Sequence, residues 1–270
     1  MKFSVLMSVY EKEDPNYLRN SLESILINQT VIPTEVVLVE DGPLTGGLYS
    51  VLEEFKSRFS FFKTISLKSN VGLGKALNEG LKHCSFEWVA RMDSDDIAVN
   101  NRFEIQLNYL EKYPSLDLLG GSIIEFGTAL DDIKSQKSIP TDEKDIINYS
   151  KTRNPFCHMT VFFKKSAVLD VGGYQHLPYV EDYYLWVRML AANKRVANLP
   201  DILVYARVGN GLAERRSNRA QIVSWKILND FMLEQGMISK MNYIKNMISI
   251  RLFVYIPAGI KRIIYRHILR

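Results

Sequence analysis

The stretch Glu87-Trp88-Val89-Ala90-Arg91-Met92-Asp93-Ser94-Asp95-Asp96 joins a short apolar run to a dense acidic cluster. Residues 87–91 have strand length and end where the acids begin. Working back from them, residues 73–81 have helical periodicity and are opened by Asn70-Val71-Gly72. Residues 61–67 read as a strand and 48–59 as a helix. Residues 35–39 are a β-branched run closed by Glu40-Asp41-Gly42. Pro15 suits a helix start, with Tyr17, Leu18, Leu22, Ile25 and Leu26 on one face. Residues 3–9 are a further apolar strand. Downstream, residues 102–113 form a helix that stops before Pro114.

This β-α-β-α-β-α-β order predicts an α/β fold, a mostly parallel central sheet with helices on both faces. Such sheets bind ligands beyond the carboxyl ends of their strands. Tyr10, Asp41 and Asp93 each follow a strand, so the topology gathers them along one edge. The second half is less regular. Residues 118–126, 159–163 and 202–205 read as strands, and 181–192 and 213–234 as helices.

Composition narrows the classes. With 270 residues and 47% hydrophobic content, the chain can bury a sizeable core. The formal net charge of +4 is uneven. From Met237 onward there are seven Lys or Arg and no Asp or Glu, which leaves residues 1–236 mildly acidic. A basic face for nucleic acid is therefore not expected on the body. Two cysteines, Cys84 and Cys157, make no disulfide framework and favour a reducing, cytoplasmic setting. The N-terminal apolar run is too short for a signal peptide and meets Glu11, Glu13 and Asp14. No uncharged stretch reaches the ~18 residues of a membrane span.

Three constellations suggest chemistry. In Asp93-Ser94-Asp95, two carboxylates one residue apart can face a common point, and Mg²⁺ or Mn²⁺ favours such oxygen ligands together with substrate phosphates. The same residues also suit a solvated acidic turn or helix cap. Asp41 could accept a hydrogen bond from a base N–H, or simply make an Asp-Gly turn. Glu181-Asp182 could supply a general base, or complement a helix dipole.

Taken together, Ser8-Val9-Tyr10, Val39-Glu40-Asp41-Gly42, the segment 70–80, Arg91 to Asp96 and Val180-Glu181-Asp182-Tyr183-Tyr184-Leu185-Trp186 resemble the family 2 glycosyltransferases. The likeness is strongest to the bacterial amylovoran, O-antigen and exopolysaccharide type and covers roughly residues 3–210. It implies a GT-A fold with a catalytic domain over 1–210, of which 1–115 bind nucleotide and 116–210 bind acceptor. It also implies an inverting, metal-dependent transfer from a nucleotide-sugar, UDP-linked, to a hydroxyl of a saccharide or lipid-linked acceptor. Asp41 would pair with the base, lined by Ser8, Val9, Tyr10 and Glu11. Asn70 would lie beside the donor, and Asp93 and Ser94 near the ribose and diphosphate. Asp95, with Asp93, would hold Mn²⁺ or Mg²⁺. Asp182 would be the catalytic base with Glu181 beside it. His158 would lie near the acceptor, the diphosphate or the metal.

The chain departs from the family pattern at Leu77, where many relatives carry an arginine that reaches the diphosphate. Lys75 and Arg207 are the cations offered in its place, although a lysine lacks the bidentate fork. Residues 211–270 read as a helical extension, basic and amphipathic from 237, suited to an anionic membrane surface or to packing on the body. The expected location is the inner face of the cell membrane. Two rival readings are weaker. A nucleotidylyltransferase would place a basic glycine-rich loop after the first strand, where residues 9–14 are acidic and lack glycine. An inactive binding subunit is disfavoured by the presence of Asp41, Asp93, Asp95 and Asp182 together.

Overall fold

The computed structural model describes residues 1–208 and 219–255. Its first half is the expected alternation: β1 (Phe3–Val9), α1 (Pro15–Leu26), β2 (Glu35–Glu40), α2 (Gly46–Arg58), β3 (Phe62–Ser66), α3 (Leu73–His83) and β4 (Trp88–Arg91). β5 (Ile97–Ala98) and α4 (Arg102–Lys112) follow. Pleating sends Phe3, Val5, Met7 and Val9 to the face covered by α1, α2 and α4, while Leu6 meets α3 on the other. Asp14 caps α1 by accepting from Asn16 N at 2.7 Å. α3 lies close to the sheet because Gly80 has no side chain: a Cβ there would sit 2.6 Å from both Leu6 and Val39.

The second half contains β6 (Leu118–Phe126), β7 (Ile133–Lys137), α5 (Glu143–Tyr149), β8 (Phe162–Lys164), α6 (Lys165–Asp170), α7 (Glu181–Ala191) and β9 (Val196–Arg207). The described strands form one sheet in the order β3-β2-β1-β4-β8-β6-β9-β5, with β7 paired to β6. It is parallel from β3 to β4 but mixed beyond, because β8 inserts antiparallel between β4 and β6. The expectation of a mostly parallel sheet is thus corrected for the second half. The strand expected over 159–163 begins instead as a 3-10 turn, His158–Thr160, before the short β8. β9 runs six residues ahead of its expected start, at Val196 rather than 202, and pairs along the whole of β6.

Of the helix expected over 213–234, the described part is α8 (Arg219–Glu234); 213–218 lie outside the described residues. α9 (Lys240–Tyr255) follows. Leu228 and Met232 of α8 pack with Leu177, Val180, Tyr183 and Val187 of the body. Met247, Ile250 and Val254 of α9 pack toward Ile222 and Trp225 of α8. The described start of the extension is therefore a helix pair docked on the domain. The basic segment 256–270 lies outside the described residues. Cys84 and Cys157 are free and buried, and burial pushes the Cys84 thiol up to about 12.

Candidate active site

The carboxyl ends of β1, β2 and β4 meet along one edge, as parallel topology requires. Asp41 N donates to Val9 O at 2.8 Å, which ties the loop after β2 to the end of β1 beside Ser8 and Tyr10. The buried Asp41 carboxylate accepts from Val71 N at 2.7 Å and Gly72 N at 3.1 Å. It thereby fixes the Asn70-Val71-Gly72 entrance to α3, and each oxygen keeps a further lone pair. Gly42, at φ +88°, permits this closure: a Cβ would lie 2.6 Å from Asn70 N. Glu11, Asn70 and Lys75 are exposed around this rim.

The acidic segment after β4 is fastened at both ends. β4 pairs with β1, and β5 returns to pair with β9, where Ile97 faces Tyr205. Between them, Asp93 O accepts from Ser21 Oγ at 2.7 Å and Ser94 Oγ donates to Glu13 Oε2 at 2.7 Å. Arg207 N donates to Asp96 Oδ1 at 2.7 Å. The Arg207 guanidinium donates to the backbone oxygens of Asp95, Gly127 and Thr128 and lies over the rings of Tyr17 and Phe126. This cation, expected at the diphosphate, instead clamps the acidic loop from within.

Beneath the acids lies Arg91, 1% exposed and ion-paired to Asp93. Its Nε has no hydrogen-bond partner among the described residues. Arg102, also buried, donates to Arg91 O at 2.7 Å. Burial, then the adjacent Arg91, pulls its guanidinium down to about 9.

Two carboxylates, the buried Glu35 and the half-buried Asp95, show what sets this loop apart. At the opposite end of β2, Glu35 is desolvated, but hydrogen bonds from Lys63, Ser4 and Ser85 hold it down at about 2. Asp95 is also desolvated, and with Asp93 and Glu13 nearby its carboxyl is pushed up to about 7. Asp96 is raised as well, by burial and then by Asp95 and Asp93. Hydrogen bonds satisfy Glu35, whereas like charges crowd Asp95, and a carboxyl raised in such a cluster marks a functional-site candidate. The raised Asp95 carboxyl stabilises the fold below the ordinary carboxylate range near 4, and that contribution is lost as pH rises toward 7. Asp95→Asn is thus expected to raise the melting temperature in chelator at pH 8 by a few degrees and to leave it unchanged at pH 4. A lower melting temperature at pH 8 contradicts this reading of the charge crowding.

Glu181 and Asp182 open α7. Asp182 Oδ2 accepts from Asn154 Nδ2 at 2.6 Å and Oδ1 from Tyr183 N at 2.7 Å. Glu181 packs against Gly74 at the start of α3, and its Oε2 is buried without a partner among the described residues. Burial, then Asp182, pushes the Glu181 carboxyl up to about 7; Arg91 and Asp93 are close enough to contribute. The α7 carboxylates and the acidic loop are therefore one electrostatic cluster.

His158 is placed differently from the expectation. It is buried, its Nε2 meets Tyr174 Oη at 2.9 Å, and its ring lies against Trp186. Burial holds its basicity well below the ordinary range, so it is neutral. Among the described residues, no three His, Cys, Asp or Glu side chains converge as a cation cage.

The model of the family "Glycosyl transferase family 2" matches residues 4–169. The chain belongs to this family. It is 42% identical over 214 residues to an amylovoran biosynthesis glycosyltransferase of Erwinia amylovora, covering 79% of each chain. It is 37% identical over 270 residues to a UDP-Gal:alpha-D-GlcNAc-diphosphoundecaprenol beta-1,3-galactosyltransferase of Escherichia coli, covering 100% of this chain and 97% of that one. Among solved structures, S. aureus TarS 1-349 in complex with UDP-GlcNAc superposes with a TM-score of 0.70 at 21% identity, over 94% of this chain and 73% of that one. Against a longer TarS chain, the overlap spans 45% of that protein. A mannosyltransferase of Pyrobaculum calidifontis, in complex with GDP-Man and Mn2+, superposes with a TM-score of 0.65 at 14% identity over 96% and 71%. These structures establish the α/β GT-A-type fold.

Within this family 2 glycosyltransferase, Leu77 is fully buried against the sheet, so no cation reaches the site from that position. Lys75 is exposed on the first turn of α3. Sequence reasoning assigned no role to Glu13, Arg91 or Asn154. The available signals were weak: an acidic loop after β1, an arginine at a strand end, and an asparagine before Pro155.

Proposed function

We propose that this glycosyltransferase moves a sugar from a UDP-linked donor to a hydroxyl of a saccharide or lipid-linked acceptor, with inversion, in surface polysaccharide biosynthesis. The observation that carries this reading is Asp182, oriented by Asn154 and its own helix, beside Glu181, whose carboxyl feels both Asp182 and the Arg91 and Asp93 charges of the acidic loop. Residues 1–115 bind the nucleotide, with Asp41 and the Ser8–Glu11 rim around the base and Asn70 beside the donor. Residues 116–210 bind the acceptor. Asp182 takes the proton from the acceptor hydroxyl as it attacks the anomeric carbon from the face opposite the leaving group. Glu181, at about 7, shares that acidic pocket. Arg91 sets a positive charge beneath the acidic loop, and Arg207 and Ser94 hold that loop in shape.

Asp93 and Asp95 would hold Mn²⁺ or Mg²⁺. Their donor set fits: hard oxygens crowded by Glu13, with Asp95 raised by burial and then by Asp93 and Glu13, which the Arg91 charge offsets only in part. A full protein cage is unnecessary, since such ions usually take one or two carboxylates and complete their shell with substrate phosphates and water. When bound, the ion supplies charge neutralisation for the departing diphosphate.

The test is a thermal-shift screen of nucleoside diphosphates and nucleotide-sugars with Mn²⁺ or Mg²⁺. Uridine nucleotides are expected to raise the transition, and Asp95→Ala to remove the metal-dependent part of the shift. A response confined to guanosine nucleotides overturns the donor assignment.

We also propose that the C-terminal extension rests on an anionic membrane surface. Among the described residues, no helix is long and apolar enough to cross a membrane. α9 carries an outward stripe of Met241, Ile244, Ile248, Leu252 and Tyr255, each at least 50% exposed, beside Lys240, Lys245 and Arg251. Paired Ile244→Asp and Ile248→Asp substitutions are expected to reduce sedimentation with anionic liposomes several-fold. Unchanged sedimentation contradicts this surface. The double substitution is preferable to deleting the extension, because α9 also contacts the body.

A further inference from the structure

Residues 150–157, between α5 and the 3-10 turn, carry the side chain that grips Asp182. Asn154 is oriented within this segment: its Oδ1 accepts from Phe156 N at 3.2 Å. Its Nδ2 is thereby directed to Asp182 Oδ2, 2.6 Å away. Side chains from elsewhere fasten the segment. The Tyr183 hydroxyl donates to Ser150 O at 2.6 Å, and Asn246 Nδ2 of α9 donates to Lys151 O at 2.8 Å.

Asn246 belongs to a buried amide pair. It is 8% exposed and donates to Asn229 Oδ1 at 2.7 Å; Asn229, fully buried on α8, donates in turn to Trp225 O at 2.8 Å. Two amides at a helix–helix interface cost stability unless their polar atoms find partners, and an apolar pair would join α8 to α9 without that demand. What the amides add is direction. They fix the helix pair to a backbone carbonyl three residues before Asn154.

We propose that Asn154 is the positioning residue for Asp182, and that the C-terminal helix pair, acting through Asn246, belongs to the same positioning apparatus. The inference rests on the reading of Asp182 as the base. Its physical basis is the steep dependence of such catalysis on placement: a misplacement of ~1 Å costs about 10²-fold in rate. The helix pair that presents the apolar stripe outward is thus linked inward to the catalytic carboxylate.

The experiment compares full-length Asn154→Ala, Asn246→Leu, Asp182→Asn and the Asn154→Ala/Asp182→Asn double variant. Transfer kinetics, nucleotide affinity and melting temperature are read for each. Asn154→Ala is expected to lower kcat by ~10- to 100-fold with donor KM within about 2-fold of wild type. Asn246→Leu keeps the branched outline of the side chain but removes its bonds to Lys151 O and Asn229 Oδ1, and is expected to lower kcat by ~3- to 10-fold in the same pattern. The double variant is expected to be no slower than Asp182→Asn alone, because Asn154 acts only through Asp182. An Asn154→Ala enzyme with wild-type kcat, or one losing the same factor in the Asp182→Asn background, overturns the proposal. Wild-type kcat in Asn246→Leu overturns the role of the helix pair; if that variant is unstable, Asn154→Ala and the double variant still decide the rest. Full turnover in Asp182→Asn instead overturns the assignment of the base, which separates the two failures.

Discussion

Asp182→Asn lowers kcat by about 10²–10⁴-fold, the range that general-base catalysis supplies, while nucleotide affinity stays within a few-fold. The asparagine keeps the shape of the side chain at the start of α7, and its oxygen can still accept from Tyr183 N. What it loses is the capacity to take a proton. The donor contacts proposed for Asp41, Asp93 and Asp95 come from other elements, so binding and turnover should separate cleanly. Calorimetry with UDP and Mn²⁺, set beside steady-state transfer rates, makes the comparison. Equal losses in affinity and kcat would return Asp182 to a structural role.

Arg91→Met destabilises the fold by about 1–3 kcal/mol, the cost of leaving the part-buried Asp93 carboxylate without its partner. For a chain of this size that lowers the melting temperature by roughly 2–12 °C. Arg91 is 1% exposed, paired with Asp93, and lies close enough to Asp95, Asp96 and Glu181 to favour their charged forms. Without it, the acidic cluster loses a central counter-charge. The deficit should narrow at pH 5, where Asp95 and Glu181, both near 7, have taken up protons. Urea denaturation at pH 8 and pH 5 measures both effects. Wild-type stability at pH 8 contradicts the placement of Arg91 as the charge beneath the site.

The first half of the fold was legible because each element carries its own signal. β1 and β2 are continuous apolar runs, and α1 begins with an Asp cap and Pro15. Their parallel order alone brings Val9, Asp41 and Arg91 to one edge. The second half was less legible because its short strands are defined by partners and not by local pattern. Phe162–Lys164 becomes β8 only by fitting between β4 and β6, and the two-residue β5 exists through β9. β9 is interrupted by exposed Pro200 and Asp201, where its register against β6 shifts, and this hides its length.

The site was legible to the same depth. Carboxylates at strand and helix ends declare themselves by position. The roles of cations do not, because a charge in a sequence carries no direction. Arg207 turns inward to backbone oxygens, Leu77 is core, and Arg91, quoted in the acidic motif without a role, is the buried counter-charge. His158 illustrates the same limit, since its burial against Tyr174 and Trp186, which lowers its basicity, has no signal in the neighbouring sequence.

The most direct test of the central claim is the anomeric configuration of the transferred sugar, read by NMR on product made from an α-linked UDP-sugar and a lipid-linked saccharide acceptor. A single displacement with Asp182 as base yields the β-linked product. An α-linked product, formed with retention, would contradict the account.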